Sequence, residues 1–103
     1  MADAIVADYM VRDVISVEPQ MKVREVTEKM INSNFHGFPI AERGYLLGFV
    51  TSKELLRFTD RPDATMREVM KRGTVCVVPS MKISDAIRVL FRYGIRNLPV
   101  VDE

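Results

Sequence analysis

The segment Thr51-Ser52-Lys53-Glu54 places a hydroxyl, an amine and a carboxylate where the sequence pattern changes from strand to helix. Residues 45–50 form an apolar run and the residues after Glu54 show helical spacing, so a strand is predicted to pass directly into a helix. The backbone N–H groups of such a helix start, together with the hydroxyl, suit a phosphate group. The same Thr-x-x-Glu spacing is also a capping box, in which both side chains serve only the helix. The sequence leaves both interpretations open.

Two basic side chains occupy similar places ahead of proline-containing apolar runs. His36, the only histidine, precedes Pro39, and Arg96 precedes Pro99 in the same way. A histidine would make ligand binding at this place depend on pH near its titration range, whereas an arginine would not. The alternatives are that His36 is an ordinary surface or capping residue and that Lys53 is an exposed lysine in the first turn of a helix.

Short helices and strands are predicted to position these side chains. From the N-terminus we predict a helix at residues 5–10, a strand at 14–17, a helix at 21–33, a hairpin across 38–50, a helix from 51 and a polar linker at 59–64. Asn34 follows the second of these helices and tolerates the left-handed conformation, so it is predicted to end that helix.

The first half of the sequence recurs in the second half. Moving residues 9–43 forward by 60 positions, without a gap, aligns Met10 with Met70, Val17 with Val77, Pro19 with Pro79 and Pro39 with Pro99. Asn34 aligns with Gly94, so both helices are predicted to end in the same left-handed cap. A short helix with its own capping box is predicted at Thr65-x-x-Glu68. The helix after it is predicted to bury one face, made of Ile83, Ala86, Ile87, Leu90 and Phe91.

These motifs, in this order and spacing, resemble a tandem pair of cystathionine-β-synthase-type (CBS) domains, also called a Bateman module. The resemblance is carried by Val-Ile-Ser-Val-x-Pro at residues 14–19, Gly-Phe-Pro-Ile-Ala at 37–41, Gly-x-Val-Thr-x-x-Glu at 48–54 and Asn-Leu-Pro-Val-Val-Asp at 97–102. It implies an α+β fold of two pseudo-symmetric β-α-β-β-α repeats that pack sheet to sheet. We assign residues 1–103 to one module, with repeat 1 at 5–58, the linker at 59–64 and repeat 2 at 65–103.

The second repeat has no counterpart of residues 45–58. We therefore expect either that this chain is a fragment or that the natural polypeptide continues with a strand and a helix. If neither holds, the second sheet would keep an apolar edge that favours pairing with another subunit.

The resemblance also implies that an adenosine-containing ligand binds between the repeats. AMP, ADP and ATP are preferred to S-adenosylmethionine, and no other cofactor is implied. In the family a Ser/Thr-x-x-Asp motif contacts phosphate and ribose, and Thr51 and Glu54 match it with glutamate in place of aspartate. One carboxylate can accept hydrogen bonds from both ribose hydroxyls, so Glu54→Ala is expected to weaken binding and spare the fold. The residues implied in binding are Thr51, Lys53, Glu54, His36, Gly37, Phe38, Pro39, Val14, Ile15, Thr74, Val75, Arg96, Asn97, Leu98 and Pro99. Most of the apolar ones are also ordinary core positions.

Composition and motifs argue against several other classes of protein. A net charge of +1 does not fit a dedicated nucleic-acid binder, and no apolar run approaches the roughly 20 residues that span a bilayer. The N-terminus has no signal-peptide pattern, so a cytoplasmic location is predicted. Cys76 is the only cysteine and is predicted to be buried in an apolar run. Catalysis is not expected, since no nucleophile–base pair, metal-ligand spacing or glycine-rich phosphate loop is present.

Two hypotheses about function follow. The first is a regulatory module in which an adenine nucleotide enters the cleft between the repeats and changes their arrangement, or that of a homodimer, so that a downstream protein, still to be identified, responds. The second is a structural module in which helices of two copies pack together to form a homodimer without a physiological ligand. The carboxylate of Glu54 and the basic side chains of His36 and Arg96 favour the first hypothesis.

Overall fold

The hairpin predicted in the middle of the chain is the main sheet of the protein. The computed structural model describes residues 4–70 and 74–102. A short 3-10 helix is followed by four α-helices and two strands, in the order Val6–Asp8 (3-10), α1 Val23–Ile31, β1 Gly37–Glu42, β2 Tyr45–Thr51, α2 Ser52–Arg57, α3 Met66–Val69 and α4 Ile83–Tyr93. None of these helices combines the length and the apolar character that crossing a membrane requires.

The turn between the two strands has the conformation that a tight hairpin needs. β1 and β2 pair antiparallel, with Glu42 opposite Tyr45, so that Arg43 and Gly44 form a two-residue loop. Both loop residues have positive φ, 53° and 83°. Such turns match the twist of the strands and favour glycine. The predicted hairpin, its turn and the direct passage into a helix at Thr51 are therefore confirmed.

The chain divides into two compact units, which we call the larger unit, Ile15–Thr74, and the smaller unit, Met1–Val14 with Val75–Glu103. In the larger unit the start of α3 lies on the segment before α1, where Met66 N–H donates to the Met21 carbonyl (2.8 Å) and Arg67 N–H to that of Pro19 (2.9 Å). The segment 59–64 is held in the same unit, because Val23 N–H donates to the Ala64 carbonyl (2.8 Å). The segment predicted as a linker is thus packed on the start of α1.

The smaller unit has an equivalent arrangement, in which the 3-10 helix lies on the segment before α4. Val6 N–H donates to the Met81 carbonyl (2.8 Å), and Ala7 N–H donates to that of Pro79 (3.0 Å). These contacts correspond, 60 positions apart, to those of Met66 and Arg67. Each compact unit therefore contains the opening segment of the other sequence repeat, an exchange that the alignment of the repeats does not reveal.

The core of the larger unit surrounds the hairpin. Its fully or nearly fully buried members are Val17, Val23, Val26, Phe38, Ile40, Val50, Leu55, Ala64, Met66 and Val69. The smaller unit has a smaller buried cluster, Val6, Val77 and Ala86, with partly buried apolar residues around it. This asymmetry agrees with the elements described for residues 4–70 and 74–102, among which β2 and α2 pack in the larger unit and have no equivalent in the smaller one.

The strands predicted at the start of each repeat are shorter than expected. Val17 forms only an isolated parallel bridge with Ile40, and Val77 forms one with Val100. The hydrogen bonds are equivalent, with Val17 N–H donating to the Pro39 carbonyl and Val77 N–H to the Pro99 carbonyl, both at 3.0 Å. The repeat is therefore present in the backbone hydrogen bonding, although neither segment extends into a full strand.

Only one of the two predicted left-handed helix caps is present. Gly94 ends α4 with φ 60° and ψ 37°. The prediction for Asn34 is wrong, because α1 ends earlier, at Ile31, with Asn32 as its C-cap at φ −86°. The Ser33 hydroxyl donates to the Met30 carbonyl (3.2 Å), which satisfies a terminal carbonyl without a left-handed residue.

Two predictions of burial are wrong in the smaller unit. On α4 Ala86 is buried, whereas Ile87 is 45% and Phe91 83% exposed. Cys76 is also exposed. Extended side chains alternate between faces, and because Val77 is the buried residue of its segment, the adjacent Cys76 side chain is directed away from the core.

Candidate functional site

The Thr51–Glu54 segment forms a helix cap in which the carboxylate is the acceptor. Glu54 Oε1 accepts hydrogen bonds from the Thr51 N–H (2.9 Å) and from the Thr51 hydroxyl (2.8 Å). Glu54 is only 3% exposed and is the only buried charged residue of the described ranges 4–70 and 74–102. A role in capping α2 is therefore established by geometry. Any contact of Glu54 with a ligand would add to this role or compete with it.

The hairpin brings two more of the predicted residues to the start of α2. Gly37 pairs with Thr51 across the sheet, and the Ser52 N–H donates to the His36 carbonyl (3.2 Å). The side chains of His36 and Lys53, which adjoin this pairing in the sequence, are exposed. Two cationic or titratable groups and a hydroxyl therefore lie at the end of the hairpin where β1 begins and β2 ends.

Ser52 belongs to the same group, although sequence reasoning did not single it out. It is the first residue of α2 and its side chain is exposed. Its position between Thr51 and Lys53, inside the motif already recognised, is the signal that could have identified it. A second hydroxyl at this helix start would add a donor for an anionic ligand.

The apolar residues predicted to contact adenine in the larger unit are mainly structural. Phe38 has no exposed surface and belongs to the core, and its backbone lies opposite Val50 in the β1–β2 pairing. The carbonyl of Pro39 already accepts a hydrogen bond from the Val17 N–H, and Ile15 packs on the edge of the core. The interpretation of these positions as ordinary core residues is the one that their burial supports.

The remaining predicted residues lie in a different compact unit, with one exception. Arg96, Asn97 and Val14 have exposed side chains, whereas Val75, Leu98 and Pro99 are partly buried. All six lie in the smaller unit, and Thr74 is the last residue of the larger unit. The predicted binding residues are thus divided between the two units, and neither unit contains the whole set.

Several charged side chains elsewhere form ion pairs at the surface. Asp63 lies 2.6 Å from Arg24 and 3.7 Å from Lys22, and Glu68 lies 3.1 Å from Arg61. Exposed pairs of this kind contribute little to stability, about 0–1 kcal/mol each. Within residues 4–70 and 74–102 no three His, Cys, Asp or Glu side chains are grouped so as to hold a metal ion.

Comparison with known proteins identifies solved structures that share this fold over nearly the whole chain. The structure of CBSX2 in complex with AMP is 25% identical, with a TM-score of 0.87 over 95% of this chain and 81% of that one. The CBS domain pair of protein MJ0100 in complex with 5′-methylthioadenosine and S-adenosyl-L-methionine is 22% identical, with a TM-score of 0.90 over 99% of this chain and 83% of that one. The second likeness, at this identity, shows the fold alone.

Sequence relatives lead to the same family. The CBS domain-containing protein YhcV of Bacillus subtilis (strain 168) is 31% identical over 102 residues, which cover 95% of this chain and 73% of the relative. The chain spans only 37%, 20% and 41% of three other curated relatives, among them the inosine-5′-monophosphate dehydrogenase of Korarchaeum cryptofilum (strain OPF8). The CBS domain model matches residues 6–61 and 66–103. The chain therefore belongs to the CBS domain family and carries two CBS repeats.

Proposed function

We propose that this chain is a regulatory module that binds an adenine nucleotide, AMP, ADP or ATP, and does not itself catalyse a reaction. The observation that carries the proposal is the end of the hairpin, where exposed His36 and Lys53 flank Thr51 at the start of α2. A hydroxyl, a lysine and a histidine at one place suit a phosphate group. The AMP complex of CBSX2, a structure of the same fold at 25% identity, supports the choice of nucleotide.

S-adenosylmethionine is the second choice of ligand. The MJ0100 pair was solved with this compound and with 5′-methylthioadenosine, but neither ligand carries a phosphate. 5′-Methylthioadenosine is uncharged, and the single carboxylate of S-adenosylmethionine is accompanied by a positive sulfonium and a positive ammonium group, so neither compound offers the basic side chains at the hairpin end the net negative charge of a phosphate. A phosphate-containing nucleotide uses these charges and is therefore preferred.

Binding would regulate by biasing an equilibrium between two arrangements of the repeats or of a dimer. A ligand shifts such an equilibrium only if it binds the two arrangements with different affinities. The protein that receives this signal is not identified by the sequence. A cytoplasmic location likewise stays a prediction from the sequence.

Titration calorimetry with AMP, ADP, ATP, adenosine and S-adenosylmethionine tests the proposal. We expect micromolar affinity for at least one nucleotide, which corresponds to about 8 kcal/mol of binding free energy, and weaker binding of adenosine. Lys53→Ala should weaken binding of the nucleotide and leave that of adenosine unchanged. Lys29→Ala removes another exposed lysine, on α1, and should have no effect. Absence of heat and of a thermal shift with every compound would contradict the proposal.

The second candidate function is a dimerisation module without a ligand, and exposed apolar residues on the helices favour it. Phe91 and Ile87 are exposed on α4, and in the larger unit Ile31 and Leu56 are 75% and 74% exposed on α1 and α2. Ile87 and Phe91, four residues apart, share one face of α4, and exposed apolar residues that lie together mark surfaces for association. A homodimer through these helices is compatible with nucleotide binding as well.

Sedimentation analysis tests the homodimer. We expect the chain to be dimeric at micromolar concentration and Phe91→Ser to raise the dissociation constant at least about tenfold, because loss of a large apolar contact costs about 1.4 kcal/mol or more. Tyr45→Ser, which changes a 76% exposed aromatic residue at the hairpin turn, is the matched control. A monomeric wild-type chain would exclude the dimer, and a dimer that neither variant weakens would exclude these helices as its interface.

A further inference from the structure

The hairpin has a second face, on the side of the sheet away from the core. Side chains of paired strands alternate between the two faces. Phe38 and Val50, which pair across the sheet, are buried in the core of the larger unit. The neighbouring pair, Pro39 and Phe49, therefore faces the other way, and both residues are only partly buried. Thr51, two residues beyond Phe49, shares this second face with them.

The ring of Phe49 lies against the backbone of Gly37. A Cβ atom at Gly37 would lie 2.6 Å from Cε1 and 3.1 Å from Cζ of Phe49, so a larger residue at this position would push the ring aside. Gly37 has no positive φ, and the close approach of the ring is therefore the reason for glycine here. Because Gly37 pairs with Thr51, the ring extends toward the end of the hairpin where Thr51 and His36 lie.

The base of a bound nucleotide needs an apolar surface near this end of the hairpin. Of the residues predicted for that role in the larger unit, Phe38 has no exposed surface and Ile15 packs on the edge of the core. This leaves Pro39, the partner of Phe49 in the sheet. Phe49 itself stands at the first x of the Gly-x-Val-Thr-x-x-Glu motif, and the sequence did not single it out. Its partly exposed ring is a flat surface of the kind on which bases stack.

We propose that Phe49 is the residue on which the adenine of the nucleotide stacks, and that Gly37 leaves the space that this position of the ring requires. The inference rests on the proposed nucleotide binding, to which it adds the contact that holds the base. Two residues of a strand span about 7 Å, and this is the spacing from Phe49 to Thr51. A nucleotide that lies along β2 can therefore place its base on the ring and its phosphate near the hydroxyl, with the ribose between them.

Phe49→Leu tests the contact with the base. The substitution keeps an apolar side chain but removes the aromatic ring. It should weaken binding of AMP and of adenosine by the same factor, about tenfold, because both ligands carry the base and stacking on an aromatic ring provides affinity of this order. Lys53→Ala, in contrast, should weaken binding of AMP alone. Titration calorimetry measures both affinities, and circular dichroism reports whether each variant is folded.

Phe49→Trp gives a readout that a merely structural role of Phe49 would not change. The sequence contains no tryptophan, so the new indole is the only one in the protein. Stacked adenine should quench its fluorescence as AMP is added, whereas ribose 5-phosphate, which lacks the base, should not. Tyr45→Trp is the matched control, because Tyr45 is 76% exposed beside the turn at the opposite end of the hairpin, and its fluorescence should not respond to AMP.

Gly37→Ala tests the position of the ring. The added methyl group meets Phe49, so this variant should also lose affinity for AMP and adenosine by the same factor. If the wild-type chain binds AMP, unchanged affinity in Phe49→Leu, or no quenching in a Phe49→Trp variant that binds AMP, would overturn this inference and leave the proposed nucleotide binding intact. Absence of AMP binding to the wild-type chain would overturn both.

Discussion

Replacing Phe38 with alanine is expected to lower the free energy of unfolding by about 3–5 kcal/mol, the range for large-to-small changes of aromatic core residues. Phe38 is fully buried, in a cluster with Ile40, Val17 and Val50. Its removal loses the free energy gained by burying the aromatic ring. It also leaves a cavity that the paired strands cannot easily close. Urea denaturation followed by circular dichroism gives the free energy.

The repeat supplies the control for this experiment. Leu98 occupies the equivalent position, 60 residues later, but it is only partly buried beside a smaller cluster. Leu98→Ala should therefore cost less than about 2 kcal/mol, below the usual range for fully buried leucines. Equal losses at the two positions would contradict the described asymmetry between the larger and smaller units.

The hairpin and the start of α2 could be predicted because the signals are local. Turn chemistry at Arg43-Gly44, the apolar runs beside it and the Thr51-x-x-Glu54 spacing each act within a few residues, and the structure confirms all three. The burial of Phe38 follows from the same apolar run. Local backbone preferences and the hydrophobic pattern agree here, so no distant contact was needed to decide between alternatives.

Helix ends were less predictable, since several groups compete for the last carbonyls. Asn34 and Gly94 are equivalent in sequence, yet only Gly94 adopts the left-handed conformation. Around α1 the Ser33 hydroxyl and the Asn32 N–H already satisfy terminal carbonyls. A residue type that tolerates a conformation does not impose it when neighbouring donors satisfy the same acceptors.

Contacts between distant segments could not be predicted from the repeat. The alignment of residues 9–43 with 69–103 does not show that Val6 and Ala7 hydrogen-bond to the segment before α4, or that Met66 and Arg67 hydrogen-bond to the segment before α1. The exposure of Phe91 has a related origin: helical spacing identifies an apolar face, whereas among residues 4–70 and 74–102 the buried cluster that includes Ala86 of α4 has only two other members, Val6 and Val77. Sequence periodicity thus indicates which side chains could be buried, and the available partners decide which of them are.

The residue types of the candidate site could be predicted from the sequence, but not which of these residues lie together. His36, Thr51 and Lys53 are brought together by strand pairing within the larger unit, whereas Arg96 and Asn97 lie in the smaller unit. The sequence allows Glu54 to be a cap or a ribose contact, and the structure shows the cap.

Replacing Glu54 with alanine is expected to destabilise the protein by about 1–3 kcal/mol, the cost of leaving part-buried hydrogen-bonding groups without their acceptor. The Thr51 N–H and hydroxyl both lose Oε1, 2.9 and 2.8 Å away. The expectation from sequence that this change spares the fold is therefore revised. Glu68→Ala is the control, because this carboxylate is exposed, lies 3.4 Å from the Thr65 hydroxyl and pairs with Arg61 only at the surface, so its loss should cost about 1 kcal/mol or less.

Glu54→Gln separates capping from ligand binding. The amide oxygen can still accept hydrogen bonds from Thr51, so most of the stability should be kept. The carboxylate that would accept hydrogen bonds from two ribose hydroxyls is removed. If Glu54 contacts the ribose, the wild-type chain should bind AMP more tightly than 2′,3′-dideoxy-AMP, by about tenfold for one charge-assisted hydrogen bond, and Glu54→Gln should abolish that preference. Equal affinities of the wild-type chain for the two nucleotides would assign Glu54 to the helix cap alone, with the phosphate contacts of His36 and Lys53 left to account for binding.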